Sequence, residues 1–324
     1  MAGSPATGPA ADAAAFTPPV GTIEPAPVGV GSGRAWLFDP VLRVERLTMR
    51  FGGLVAIDDL SFDVGRGDIT ALIGPNGAGK TTVFNCVTGF YEPTEGRIAM
   101  GRRQGAFAGL DALTGSGRRH DPEAGLYLLE RMPDVEIAAR AGVARTFQNI
   151  RLFDRLSARQ NVLAAAIARR SRSTARAEAL ADRALDRLGL GPLADLEAGT
   201  LSYGDQRRVE IARALALEPA VLFLDEPAAG MNEAETGALM RTLQALSAES
   251  GLAILLVDHD LAFITALCDR ATVLNEGRTI AEGTPREIKR DPAVIEAYLG
   301  RRAAARHAAD DLPPDPSRPQ ETDP

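Results

Sequence analysis

Lysine, cysteine and long apolar runs are all scarce in this chain, and each scarcity excludes something. Only two lysines, Lys80 and Lys289, stand among 36 basic residues; every other cation is arginine. Two cysteines, Cys86 and Cys268, cannot build a disulfide framework and read as buried thiols of a reducing compartment. No apolar run approaches the roughly 20 residues that a membrane-spanning helix needs, and the longest, around 252–257, is the size of a strand. The N-terminus lacks the basic start and apolar core of a secretory signal. With 43 acidic residues against 36 basic ones the formal charge is -7, which leaves no cation excess for a general phosphate-backbone binder. No nucleic acid is therefore expected among the partners. What remains is a soluble, cytoplasmic protein long enough for one large domain or two small ones.

The ends and the body of the chain differ in composition. Residues 1–38 are rich in Ala, Pro and Gly and show no apolar periodicity, so they cannot bury enough surface to offset their ordering entropy. Residues 302–324, with Pro313, Pro314, Pro316 and Pro319 among acidic residues, read the same way. Two disordered tails around a folded body at 41–300 are expected. In that body, short β-branched runs at Ile69–Ile73, 221–224, Ala253–Val257 and 271–274 alternate with helical patterns. Such runs read as buried parallel strands of an α/β sheet, with a ligand at their carboxyl ends. The last of them enters a hairpin at Asn275-Glu276-Gly277. From about 155 to 218, Ala, Leu and Arg dominate and no strand is evident, which predicts an inserted helical subdomain. Thr284-Pro285-Arg286-Glu287 has the spacing of a capping box, and Asp291-Pro292 opens a further helix that is expected to end at Gly300.

Three segments carry chemistry. Gly74-Pro75-Asn76-Gly77-Ala78-Gly79-Lys80-Thr81 fits G-x-x-x-x-G-K-[ST] and follows a strand-like run. Glycines let successive backbone N–H groups turn inward around a phosphate, and a helix starting near Lys80 adds its positive end. Lys80 would neutralise the outer phosphates and the Thr81 hydroxyl would ligate Mg²⁺. Second, Val221-Leu222-Phe223-Leu224-Asp225-Glu226-Pro227 delivers two carboxylates to a strand end, with Asp225 suited to the Mg²⁺ shell and Glu226 to polarising a water. Third, Leu201-Ser202-Tyr203-Gly204-Asp205-Gln206 precedes a helix predicted over 207–217, about twenty residues before Asp225.

That third segment resembles the signature Leu-Ser-Gly-Gly-Gln of the nucleotide-binding subunits of ABC transporters, with Tyr203 in place of the first glycine and Asp205 in place of the glutamine. The resemblance spans about 41 to 300. It implies a P-loop NTPase (RecA-like) cassette of α/β class, with an inserted helical subdomain and an N-terminal antiparallel β-subdomain. Gln148, in Arg145-Thr146-Phe147-Gln148-Asn149, matches the glutamine loop, and His259, in Val257-Asp258-His259-Asp260, matches the switch histidine. Phe51 matches the aromatic that stacks on adenine, and Ala228-Ala229-Gly230-Met231-Asn232 matches the dimer-contact loop without its usual Asp. By resemblance, ATP lies on Phe51, Gly74, Asn76, Gly77, Ala78, Gly79, Lys80, Thr81 and Thr82. Mg²⁺ is held by Thr81, Gln148 and Asp225, Glu226 and His259 act in hydrolysis with Gln148, and Ser202 and Gly204 close over the nucleotide of an opposite subunit.

Met49-Arg50-Phe51-Gly52-Gly53-Leu54, the run from Val83 to Tyr91, Asp225 to Asn232, and Asp291 to Gly300 are similar to one subgroup, the ATPases of branched-chain amino acid importers. Tyr and Asp in the signature are features of that subgroup. The implied partners are a second such ATPase, identical or paralogous, transmembrane permease subunits, and indirectly a periplasmic solute-binding protein. The chain would then sit at the inner face of the membrane through the permease. Urea or amide importers and lipopolysaccharide-export ATPases share much of the pattern and stand as alternatives. A regulatory GTPase needs a guanine-reading Asn-Lys-x-Asp segment, which neither lysine supplies. Neither long coiled coils nor a second nucleotide domain is visible, against the repair, chromosome and translation ATPases of the superfamily. The intact Glu226 and His259 argue against a mere scaffold.

Overall fold

Burial along the first strands decides where the smaller of two sheets lies. In the computed structural model, which describes residues 39–168 and 173–299, β1 (Pro40–Phe51) and β2 (Leu54–Gly65) form an antiparallel hairpin across Gly52-Gly53. They bury Val41, Leu42, Val44, Leu47, Ile57, Leu60 and Val64. β1 pairs on its other side with β4 (Glu95–Gly101), and the sheet continues through β6 (Leu126–Leu128) to β5 (His120–Asp121) in the order β2-β1-β4-β6-β5. α2 (Leu110–Gly115) covers this far end, where Leu110 and Leu113 pack on Ala99, Leu126 and Leu128. α3 (Asp134–Glu136) then winds into a wider turn that closes at Gly142 and releases the chain into β7.

The larger sheet has the order β11-β10-β3-β9-β8-β7. β7 (Val143–Arg145), β8 (Val221–Asp225), β9 (Ala253–Val257), β3 (Ile69–Ile73) and β10 (Arg270–Asn275) are parallel, and β11 (Arg278–Gly283) runs antiparallel at the edge. Every residue of β3, β8 and β9 is buried, as their unbroken apolar reading requires of strands covered on both faces. On one face Leu72, Phe223 and Leu255 meet the small sheet and α1 (Lys80–Val87), with Phe84 and Phe223 edge to face at 5.0 Å. On the other, Ala71, Leu222, Ile254 and Leu256 meet α7 (Glu233–Ser250), α8 (Leu261–Leu267) and the helical subdomain.

That subdomain consists of α4 (Ala158–Ala168), α5 (Thr174–Arg187) and α6 (Tyr203–Leu215). Among its described residues the only β-type pairing is an isolated bridge between Ser157 and Glu197. α6 corrects the expected helix start at 207. Ser202 caps it by accepting from the Asp205 N–H, so the helix begins at Tyr203 and ends at Leu215. β8 runs one residue further than the apolar run and takes in Asp225. The hairpin after β10 has a two-residue turn in which Glu276 and Gly277 have φ of 48° and 79°, the left-handed pair that matches strand twist. Thr284 and Glu287 form the expected capping box on α9 (Pro285–Ile288), and Asp291 accepts from the first turn of α10 (Pro292–Leu299). Gly300 and the segments 1–38 and 302–324 lie outside the described residues. Cys86 and Cys268 are buried free thiols, the former pushed up to about 12 by burial.

At the opposite end of the sheet from the strands' carboxyl ends, Asp68 precedes β3. Burial, with the neighbouring Asp269 and Asp39 carboxylates, pushes its carboxyl up to about 6, although Arg270 counters them. Its Oδ2 is buried with no hydrogen-bond partner among the described residues. The folded-state value lies above the ordinary 3.8, so this carboxyl favours the fold most below that value, and its contribution is lost as pH rises through about 6. Asp68→Asn should therefore be more stable than the parent at pH 8, by on the order of 2 kcal/mol, with the gap closing towards about pH 4. Urea unfolding at the two pH values measures it; a gap that does not change with pH contradicts the assignment.

Candidate functional site

Four neighbouring parallel strands deliver four loops to one edge. β3 leads into the glycine-rich loop, β9 into His259, β8 into Glu226 and β7 into Gln148. The glycine-rich loop is shaped by backbone that only glycine adopts readily: Gly74, Gly77 and Gly79 have φ of 150°, 82° and 102°. A Cβ on Gly74 would lie 2.1 Å from the Leu274 carbonyl, and one on Gly79 would lie 2.5 Å from Ile57 Cδ1. At Gly77 the same Cβ would meet nothing. The loop thus rests on β2 and β10 at both ends and faces open space in the middle. The Gly277 N–H of the β10–β11 turn donates to the Ala78 carbonyl at 3.1 Å and buttresses it from below.

Lys80 opens α1 and curls back over the loop, its Nζ donating to the carbonyls of Gly74 at 2.7 Å and Pro75 at 2.9 Å. Burial lowers its pKa, while Glu226 and Asp225 oppose that shift. Asn76, Gly77 and Thr81 are exposed, Thr82 and Gly79 half-buried, and Gly74 and Ala78 buried. Asp225, at the end of β8, is buried, and its carboxyl is raised chiefly by that burial; Arg145 at 3.9 Å is the nearest cation in an ion pair with it.

Glu226 follows in the left-handed region at φ 47°, its N–H held by the Val257 carbonyl at 2.8 Å. This unusual backbone turns its side chain to where two others meet it. Gln148 Nε2 donates to Oε2 at 3.5 Å, and His259 Nδ1 lies 3.5 Å from Oε1. His259 is itself set by Asp258, whose Oδ1 accepts from the N–H groups of His259 at 2.7 Å and Asp260 at 3.0 Å. Glu226, Gln148 and His259, distant in sequence, therefore form one cluster beside Lys80 and Asp225.

Ser202 and Gly204 stand at the start of α6, where the hydrogen-bond partner of the Ser202 hydroxyl is Asp205 and not a residue of this cluster. The Ser202 hydroxyl donates to Asp205 Oδ2 at 2.8 Å, and Asp205 pairs with Arg208. Gly204 is close-packed, since a Cβ there would stand 2.9 Å from Glu235 Oε1. The two departures from the signature have structural partners. Asp205 orients the Ser202 hydroxyl that caps α6, and the half-exposed Tyr203 ring lies on Gly230, where a Cβ would come within 3.0 Å of the ring. Phe51, at the end of β1, is 42% exposed and packs in a T-shaped pair with Tyr91 at 5.2 Å.

Sequence reasoning passed over Arg145, Arg207, Glu210 and Asp258. Arg145 sits at the end of β7, bonded to Asn85 Oδ1 at 2.9 Å and Thr88 Oγ1 at 3.0 Å and stacked between Phe90 and Phe147. A cation just before the glutamine segment was the only signal it offered.

With this geometry in view, comparison with known proteins is decisive. The family model described as ABC transporter matches residues 57–229. The chain belongs to the ABC transporter ATP-binding family. A second model, described as branched-chain amino acid ATP-binding cassette transporter, matches residues 278–304 of the chain. The chain is 42% identical, over 81% of its length and 98% of the relative's, to the high-affinity branched-chain amino acid transport ATP-binding protein LivG of Salmonella typhimurium. It is 39% identical, with the same coverage of each chain, to the corresponding protein BraF of Pseudomonas aeruginosa. A lipopolysaccharide export system ATP-binding protein, LptB of Escherichia coli, is 34% identical over 80% of this chain and 97% of that one. Among solved structures, a nucleotide-free ATP-binding cassette from an ABC transporter matches with a TM-score of 0.66 at 28% identity, covering 81% of this chain and all of that one. The ADP conformation of the cassette MJ1267 matches equally well, covering 99% of that chain. The α/β cassette fold expected from the motifs is thus the fold of these relatives. No helix among the described residues is long and apolar enough to cross a membrane.

The two glycines separate support from open space. Gly74→Ala should cost ~2 kcal/mol or more, from strain plus collision with the Leu274 carbonyl, whereas Gly77→Ala should cost about 1 kcal/mol from the left-handed backbone alone. Thermal unfolding of the two variants tests this ranking, which equal losses would contradict.

Proposed function

We propose that this cassette hydrolyses ATP at sites shared with a second cassette and energises the import of branched-chain amino acids. The observation that carries the hydrolytic part is the meeting of Gln148 and His259 on the Glu226 carboxylate beside Lys80. ATP's phosphates would lie along the backbone of Gly74, Asn76, Gly77, Ala78, Gly79 and the hydroxyls of Thr81 and Thr82, at the positive end of α1. Lys80, now folded onto the loop's own carbonyls, would exchange those acceptors for phosphate oxygens. Phe51 offers its exposed ring to the adenine.

Mg²⁺ fits the residues present: a buried carboxylate, Asp225, stands with the exposed Thr81 hydroxyl and the Gln148 amide oxygen, a donor set that leaves further positions for phosphate and water, as this cation prefers. When bound it neutralises charge on the transferred phosphoryl group. Glu226 accepts the proton of the attacking water as its oxygen bonds to the γ-phosphorus and the bond to the β–γ bridging oxygen breaks, giving ADP and phosphate. His259 and Gln148 hold the carboxylate and the γ-phosphate in register. Ser202 and Gly204, at the start of α6, serve the nucleotide of the opposite cassette, which makes ATP the bond between the two subunits.

The wider assignment rests on family. We read residues 41–300 as one cassette, paired with an identical or paralogous one and docked at the inner membrane face on permease subunits, with a solute-binding protein acting through them. The branched-chain amino acid reading rests on the identity to LivG and BraF and on the match at 278–304. The export protein is a more distant relative.

Glu226→Gln should keep ATP affinity while turnover falls about 10²-fold or more, and Lys80→Ala should weaken ATP binding about tenfold or more. Phosphate release and nucleotide titration check both; normal hydrolysis in the first variant removes Glu226 as the base. The solute is tested separately, in proteoliposomes holding the transporter encoded with this chain. Leucine-loaded binding protein is expected to stimulate ATP hydrolysis and leucine uptake, and stimulation by urea but not leucine would redirect the substrate assignment alone.

A further inference from the structure

Arg207 leads the largest fully buried side chains among the described residues, at 1% exposure, and no motif accounts for it. It lies on α6, five positions beyond Ser202. Its Nη1 meets Glu210 Oε2 at 2.6 Å and donates to the carbonyl of Phe147, the residue before Gln148. Its Nη2 donates to the carbonyls of both Asp225 and Glu226, the latter at 3.0 Å. Glu210, also 1% exposed, accepts from the Phe147 N–H at 3.2 Å through its other oxygen. One buried ion pair thus holds the peptide groups on both sides of the site, ahead of Gln148 and along Asp225-Glu226.

Two physical arguments give this arrangement a purpose beyond packing. A buried ion pair contributes little net stability, because desolvation offsets the attraction and apolar residues of equal volume serve as well. Glu226 also holds a left-handed backbone, φ 47°, which persists only where neighbours over-determine it. The Arg207 bond to its carbonyl and the Val257 bond to its N–H supply that determination. Only a planar guanidinium spreads its donors over Glu210 and three backbone carbonyls together.

We propose that Arg207, oriented by Glu210, is a positioning residue for hydrolysis, fixing Glu226 and Gln148 relative to each other and to the Ser202 turn at the head of α6. A nucleotide closing on Ser202 therefore acts, through one rigid helix, on the water-activating carboxylate of the same chain. This rests on the reading of Glu226 as the base.

The test uses the full-length chain with Mg-ATP in three variants: Arg207→Lys, the pair Arg207→Gln with Glu210→Gln, and Glu226→Gln. Both Arg207 variants are expected to lower kcat about tenfold or more while ATP affinity stays within about threefold. The Hill coefficient for ATP should fall towards one. Parent-like kcat in either folded variant overturns the proposal, and an inactive Glu226→Gln in the same assay shows that the site reading survives that failure. Active Glu226→Gln overturns the site reading and this proposal together. Losses of kcat and affinity in equal measure, or a pair variant that does not fold, assign the ion pair a structural role and overturn the proposal as well.

Discussion

Hydrogen-bonded register between parallel strands is the constraint on which the rest of this molecule depends. β3, β9, β8 and β7 lie side by side with their carboxyl ends on one edge, where Asp225 pairs with Val257 and Arg145 with Phe223. Residues from positions 74 to 259 come within reach of one another only because these strands share an edge. The same ladder continues past the strand ends, where the Glu226 N–H reaches the Val257 carbonyl and the Thr146 N–H reaches that of Phe223. Such strands must be covered on both faces. The small antiparallel sheet with α1 covers one face, and α7, α8 and the helical subdomain cover the other.

Charge is held at this edge under tension. Burial pushes the Asp225 and Asp258 carboxyls up and Lys80 down, so each charged form sits where solvation is poorer than in water. Lys80 satisfies itself on loop carbonyls, and Asp225 stands 3.9 Å from Arg145. A site arranged in this way gains most from a ligand that brings both strong acceptors and a compensating cation, which is the chemistry of a metal-bound nucleotide.

The departures of the signature from its family pattern have local causes. Asp205 replaces a glutamine yet accepts from the hydroxyl of the capping Ser202 and so holds it, with Arg208 balancing its charge. Tyr203 replaces a glycine, and opposite it stands Gly230, whose missing side chain leaves room for the ring. The turn at the head of α6 and the turn at Gly230 are therefore fitted to each other within one chain.

Much of the fold was legible because its signals are local. Apolar runs named the central strands, the glycine pattern and Lys80 named the phosphate loop, and capping residues named the starts of α9 and α10. The start of α6 was misplaced because Ser202 caps through its side chain inside a signature read for function. By itself the sequence determined residue types and their order, which suffice for an α/β cassette with a glycine loop, an acidic strand end and a serine turn. Only the tertiary structure decided that Gln148, Glu226 and His259 converge, that Arg145 lies beside Asp225, and that Arg207 and Glu210 hold the backbone between them. Those contacts join residues up to 80 positions apart through strand register and burial, and neither has a signature in any short stretch of chain.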